Sequence, residues 1–179
     1  MVQEIFIPEV LKSVVMAMKV VIPDSDPVSY FDIHYEPGRS QQIIDSLKNM
    51  DGTSLDILKY PLIAVLMPIS EKNSSSYPEV LFDRIVIAYL TKTSTNSEPV
   101  MTKYSSDGVF KTILRPCLRE FIKNLAFSVY TNSGDPDSYE YTAREMPSQQ
   151  PIGQGLSDYV DIIEILKLKA TIFSQIKTC

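Results

Sequence analysis

Apolar and polar residues alternate along this chain with periods that change from segment to segment. Leu11, Val14, Val15 and Met18 recur at three- and four-residue spacing and predict a helix over 5–18, with Pro8 in its first turn. Val20 and Val21 extend that helix and Pro23 stops it. The run Pro23-Asp24-Ser25-Asp26-Pro27 reads as a turn. A strand is expected over 28–35, with Phe31, Ile33 and Tyr35 on one face and Asp32, His34 and Glu36 on the other, and Pro37-Gly38 ends it. Ser40 caps a short helix that carries Ile43, Ile44 and Leu47 and ends near Asp51-Gly52.

The run 62–67 is apolar on both faces and predicts a buried strand. A second strand follows over 81–92. The polar link 70–79 predicts an antiparallel pair joined by a long hairpin loop. After a polar connection over 93–106, Asp107 caps the strongest helix, which runs to about Ser128. Its apolar stripe includes Phe110, Ile113, Leu114, Cys117, Leu118, Phe121, Ile122 and Leu125. Pro116 inside it predicts a kink, because proline removes one backbone bond and clashes with the carbonyl four residues earlier. The stretch 129–155 shows no periodicity and is expected to be a long loop. A last strand covers 159–172, with Val160, Ile162, Leu166, Leu168, Ala170 and Ile172 on one face and Lys167, Lys169 and Thr171 on the other. Glu164 falls on the apolar face and suggests a bulge or an edge. This order predicts a single α+β domain over 1–179. It has one mixed or antiparallel sheet of about four main strands, with an N-terminal helix and a long kinked helix packed on it.

Composition narrows the function classes. The 179 residues hold 17 Lys+Arg against 22 Asp+Glu, a net charge of −5, which argues against gripping nucleic acid through a diffuse positive surface. An apolar fraction of 44% supports a buried core. The longest apolar runs are too short for a membrane-spanning helix, and Glu4 and Pro8 interrupt the pattern a signal peptide would need. Cys117 and Cys179 form no metal-ligand spacing and are read as unpaired. No glycine-rich phosphate loop is present, since Gly153-Gln154-Gly155 lacks the third glycine and follows no strand. No cofactor is expected.

Three constellations remain. Asp32, His34 and Glu36 would share one strand face. They offer a metal or acid–base site for a small hydrolase, or simply a solvated charged face. Lys111, Arg115, Arg119 and Lys123 recur every four residues and form one slanting basic row on the long helix. That row suits an acidic partner or DNA passing through a channel, or else an ordinary solvated face with its alkyl stems lying along the helix. On an acidic chain, a basic row against an acidic patch also suits a head-to-tail contact between copies. In the stretch 129–155, Tyr130, Tyr139 and Tyr141 are residue types enriched at interfaces, and Arg144 can pair with an acid across a contact, or else the stretch is an ordinary floppy surface loop.

Several stretches together resemble structural proteins of tailed bacteriophages of gut Bacteroidetes, including the crAss-like phages. They are Tyr60-Pro61-Leu62-Ile63-Ala64-Val65-Leu66, Phe110-Lys111-Thr112-Ile113-Leu114-Arg115-Pro116, Asp135-Pro136-Asp137-Ser138 and the run from Gln150-Pro151-Ile152-Gly153-Gln154-Gly155 through Leu156-Ser157-Asp158-Tyr159-Val160-Asp161. The element order is also similar to the tail-terminator fold. The resemblance implies a non-enzymatic subunit of the virion neck, assembled in the host bacterial cytoplasm. It would form a homo-oligomeric ring of six- or twelve-fold symmetry at the head–tail junction. Partners would be a portal or adaptor protein and tail proteins, with DNA passing through the lumen without specific binding and no membrane. The contact residues it directs attention to are the basic row, Tyr130, Asp135, Pro136, Tyr139, Tyr141, Arg144, Gln154 and Asp158. The competing readings are a soluble assembly factor or tail adaptor outside any ring, and the small metal-dependent hydrolase.

Overall fold

The computed structural model describes residues 6–72, 78–90, 100–131, 133–149 and 159–172. Helix α1 (Ile7–Met16) buries Val10, Leu11, Val14 and Val15, with Pro8 in the first turn where its missing N–H costs no bond. The helix stops there and does not continue through Val20 and Val21, against expectation. Those β-branched residues are extended instead: Phe31 N–H donates to Val20 O and Ile22 N–H to Ser29 O, both at 2.9 Å. An isolated bridge joins Val21 to Tyr30, so 20–31 is a small hairpin.

The expected strand over 28–35 is therefore displaced. Strand β1 is His34–Gly38 and includes the Pro37-Gly38 pair that was expected to end it. His34 N–H donates inward to Pro61 O at 2.8 Å, so by strand alternation Pro37 turns its backbone nitrogen outward, where no ladder bond is lost. Helix α2 (Ser40–Met50) buries Ile43, Ile44 and Leu47. Ser40 is its first helical residue and not its cap. Arg39 holds the cap position, and its N–H donates to Gln42 Oε1 at 3.0 Å.

Strands β2 (Leu62–Lys72) and β3 (Glu79–Leu90) pair antiparallel. The pairing reaches Lys72 opposite Glu79, so residues 70–72 and 79 of the expected 70–79 loop are strand, and 73–77 lie outside the described residues. The largest departure lies in 129–155. It contains a 3-10 turn at Pro136–Ser138 and strand β4 (Thr142–Gln149), which pairs antiparallel with β5 (Val160–Thr171). The fold is α+β, and among the described residues the sheet has five strands in the order β1-β2-β3-β5-β4. β1 runs parallel to β2 and the other pairs are antiparallel.

The long helix begins irregularly. Phe110–Leu114 form a π-helical turn that passes directly into α3 (Arg115–Ala126). Pro116 cannot donate the helical bond to Thr112, and the backbone widens just before it, with Arg115 N–H reaching Phe110 O. The expected irregularity thus takes the form of a π-helical turn. Asp107 does not cap the helix. Gly108 O accepts from Lys111 N–H and Thr112 N–H at 3.0 Å each. A Cβ on Gly108 would lie 2.3 Å from the carbonyl oxygen of Lys103, so only glycine lets the 3-10 turn Val100–Tyr104 approach this closely.

Helices α1 and α3 cover one face of the sheet over the larger core, which includes Leu11, Val65, Phe82, Ile87, Phe121 and Ile165. Helix α2 covers part of the other face over Leu62, Ala64, Val86 and Ile162. Strict alternation along β5 fails. Ile163 and Ile165 face the larger core, and so do Leu168, Ala170 and Ile172, three residues further on. Lys167 sits between them with a left-handed φ of 57°. Phe82 and Ile85 on β3 show the same three-residue step, and β2 carries a register shift between Leu66 and Ile69. A crease therefore crosses three strands. It separates Val160 and Ile162, which face α2, from Leu168 and Ala170, which the sequence pattern placed on the same side.

Candidate functional site

All four cations of the basic row are exposed on the π-helical turn and α3. The structure divides them. Arg115 reaches the edge strand and makes a two-pronged contact with Glu145, Nε to Oε1 at 2.6 Å and Nη2 to Oε2 at 3.0 Å. The hydrogen bonds that Arg115 donates to Glu145, and the charge of that carboxylate, raise the Arg115 pKa further above its ordinary value. Lys123 donates to Glu120 Oε1 at 2.9 Å. Burial pushes Glu120 up, but bonds from Lys123, from the Lys19 backbone N–H and from Asn124 outweigh it and hold the carboxyl below its usual range. Lys111 and Arg119 hold no ion pair among the described residues. Arg119 and Lys123 also line a groove with Lys19, Val20 and Val21, the root of the 20–31 hairpin.

The other predicted contact residues scatter. Asp135 and Pro136 build a local turn, in which Asp135 Oδ1 accepts from Asp137 N–H at 2.9 Å. Tyr139 packs partly buried against the larger core, and its hydroxyl accepts from Ser133 Oγ at 3.3 Å. Tyr130 is half-buried at the end of α3, where its N–H donates to Ser128 Oγ at 3.2 Å. Tyr141 is exposed just before β4, and Arg144 is exposed on β4 opposite Glu164. Glu164 pairs with Arg84 on the neighbouring strand β3. Gln154 and Asp158 lie outside the described residues.

The strand triad does not form a metal site. His34 Nε2 lies 3.2 Å from Glu36 Oε2 but is not aligned as a hydrogen bond. Among the described residues no three His, Cys, Asp or Glu side chains converge as a ligand set, so the hydrolase reading lacks one. Asp32 and His34 instead line a groove of about 510 Å³ along the β1 edge with Met16, Tyr30, Ile33 and Leu58, of which Met16, Tyr30 and Leu58 are exposed. Behind it, the Tyr35 hydroxyl donates to Pro8 O at 2.9 Å, and burial with Glu9 and Glu36 nearby raises its pKa well above the ordinary value. Cys117 is buried and its thiol is pushed up to about 12 by that burial, so it is a neutral core group.

Sequence reasoning missed a buried ion pair. Lys103 Nζ lies 2.7 Å from Asp161 Oδ1, and both side chains are almost fully buried, at 1% and 3% exposure. They form one wall of a cleft of about 450 Å³, which also takes in Phe31, Tyr89, Thr112 and Asp24. The available signal was Asp161 itself, a carboxylate set within the apolar run Val160-Asp161-Ile162-Ile163. Comparison of the chain with family models, with curated proteins and with solved structures found no match.

Proposed function

We propose that this chain is a structural subunit of a phage virion neck, forming an oligomeric ring at the head–tail junction between a portal or adaptor protein and tail proteins. The carrying observation is that the two edges of the sheet are unlike. The β1 edge ends in a five-residue strand blunted by Pro37 and flanked by the exposed Met16, Tyr30 and Leu58. The β4 edge is an eight-residue strand with exposed Thr142, Ala143 and Arg144, preceded by exposed Tyr141. A closed ring is built from one repeated heterologous contact, which requires two different surfaces on the same subunit. Two unlike edges at opposite ends of one sheet supply such a pair. The resemblance of the Tyr60–Leu66 and Phe110–Pro116 stretches to phage structural proteins supports the same reading.

Mass photometry and negative-stain imaging of the purified protein, alone and with a phage portal or adaptor protein, test this. The expected result is a closed ring, formed alone or on the partner ring. A monomer under both conditions overturns the ring. A monomer that binds the partner in single copies supports the tail-adaptor reading in its place.

A further inference from the structure

The 20–31 hairpin is anchored at its root, where Val20 is buried and Phe31 packs on the larger core, and yet most of its length stands in solvent. Its backbone bonds at 2.9 Å are reinforced at the tip, where Ser25 Oγ donates to Ile22 O at 2.8 Å and Ser29 N–H donates to Ser25 Oγ at 3.0 Å. Eight of the ten residues 21–30 are nevertheless exposed, among them the apolar Val21, Val28 and Tyr30. A short two-stranded ribbon gains little from such exposure, and apolar flanks left in water favour burial against something else. The segment 22–37 carries Asp24, Asp26, Asp32 and Glu36 and no lysine or arginine. Asp24 and Asp26 are exposed and make no ion pair among the described residues.

The basic row is the counterpart. Lys111 and Arg119 are exposed and equally without an ion pair among the described residues, although the hairpin root lies beside Arg119 in the same subunit. The subunit therefore pairs Arg115 with Glu145 and Lys123 with Glu120, and brings the hairpin up to the row without pairing its aspartates with Lys111 or Arg119. Asp24 and Asp26 on one ordered element, and Lys111 and Arg119 on the other, are without ion pairs among the described residues and are complementary between copies.

The geometry points to a contact in which the acidic 20–31 hairpin of one copy docks on the Lys111–Arg119 row of the next. The aspartates meet the cations, and Val21, Val28 and Tyr30 are buried against the neighbour. The occupant of the basic row is thus a second copy of this chain and not a nucleic acid. The inference rests on the ring reading and gives one of its contacts.

Two charge variants test it. D24N/D26K changes the hairpin. Asn tolerates the left-handed φ of 59° that Asp24 adopts, so the first substitution keeps the turn. K111E/R119E changes the row. Self-association is read by analytical ultracentrifugation at low and high salt, and folding by thermal melting. Each variant alone should weaken self-association about tenfold or more at low salt while melting like the parent. Mixing the two variants, or combining all four changes in one chain, should restore association, because opposite charges face each other again. If D24N/D26K melts early, D26K alone replaces it. Parent rings that both variants leave intact overturn the hairpin contact and leave the ring standing. Loss of assembly in both variants without rescue on mixing overturns the pairing of these two elements. Binding of a DNA duplex by the parent that K111E/R119E abolishes, with association unchanged, assigns the row to nucleic acid.

Discussion

Lys103–Asp161 and Arg115–Glu145 are ion pairs of nearly equal length, 2.7 and 2.6 Å, in opposite surroundings. The first pair lies between a 3-10 turn and the first residues of β5, at the wall of the cleft, with both side chains almost fully buried. The second lies on the surface, with Arg115 half exposed. Distance alone makes them look alike, and solvent separates them. Removing one partner of a buried pair leaves a charge without water, whereas an exposed pair gives up only a screened attraction. The buried Lys103–Asp161 pair ties the turn Val100–Tyr104 to the start of β5. Charge outside it, on α3 and the 20–31 hairpin, is screened by solvent, and a pair such as Lys123–Glu120 contributes little to folding.

The comparison can be broken most directly at Asp161. Asp161→Ala should lower stability by about 3–5 kcal/mol, read from urea unfolding at neutral pH. The double change K103M/D161L should recover much of that loss, because it leaves no buried charge unpaired. A loss below about 1 kcal/mol would mean that Lys103 swings out to water, and the contrast with Arg115 would collapse. Gly108→Ala acts on the same site from behind. Its Cβ would strike the Lys103 carbonyl, and the displaced turn should cost about 1–3 kcal/mol in the same assay.

The smallest effect belongs to the outer row and sharpens the comparison from its other side. The Glu120 carboxyl is held below its ordinary value in the folded chain, so its contribution is present above the unfolded pKa. It is lost as pH falls through the lower folded pKa. Glu120→Gln should therefore reduce stability slightly at neutral pH, by less than about 1 kcal/mol because the pair is solvent-screened, and should flatten the decline in acid. Melting temperatures of the two proteins across the acid range would show the curves converging at low pH. Curves that stay parallel would remove Glu120 from the account.

Much of this fold is legible in the residues. Helix α1, α2 and the central strands β2 and β3 follow from apolar patterns that are long and consistent, because each element buries a continuous face. Strand β4 is not legible. Thr-Ala-Arg-Glu-Met-Pro-Ser-Gln shows no alternation, since an edge strand with exposed residues has no face the pattern must mark. It is a strand because β5 offers it an open edge. The basic row is legible as a row, but its division into a neutralised Arg115 and an unpaired Arg119 depends on Glu145, which comes from that unexpected strand.

The sequence by itself determined the α+β class, the apolar faces that build the core, the placement of Pro116 at an irregular turn and the clustering of positive charge on one helix. Those properties are local, carried by residues a few positions apart. The tertiary structure alone decided which charges are buried, where 20–22 turns back to pair with 29–31, and how the crease at Lys167 returns β5 to the larger core. Each of these depends on a partner far along the chain or on a backbone angle that no local pattern encodes, and long-range pairing is set by what the rest of the fold leaves unpaired.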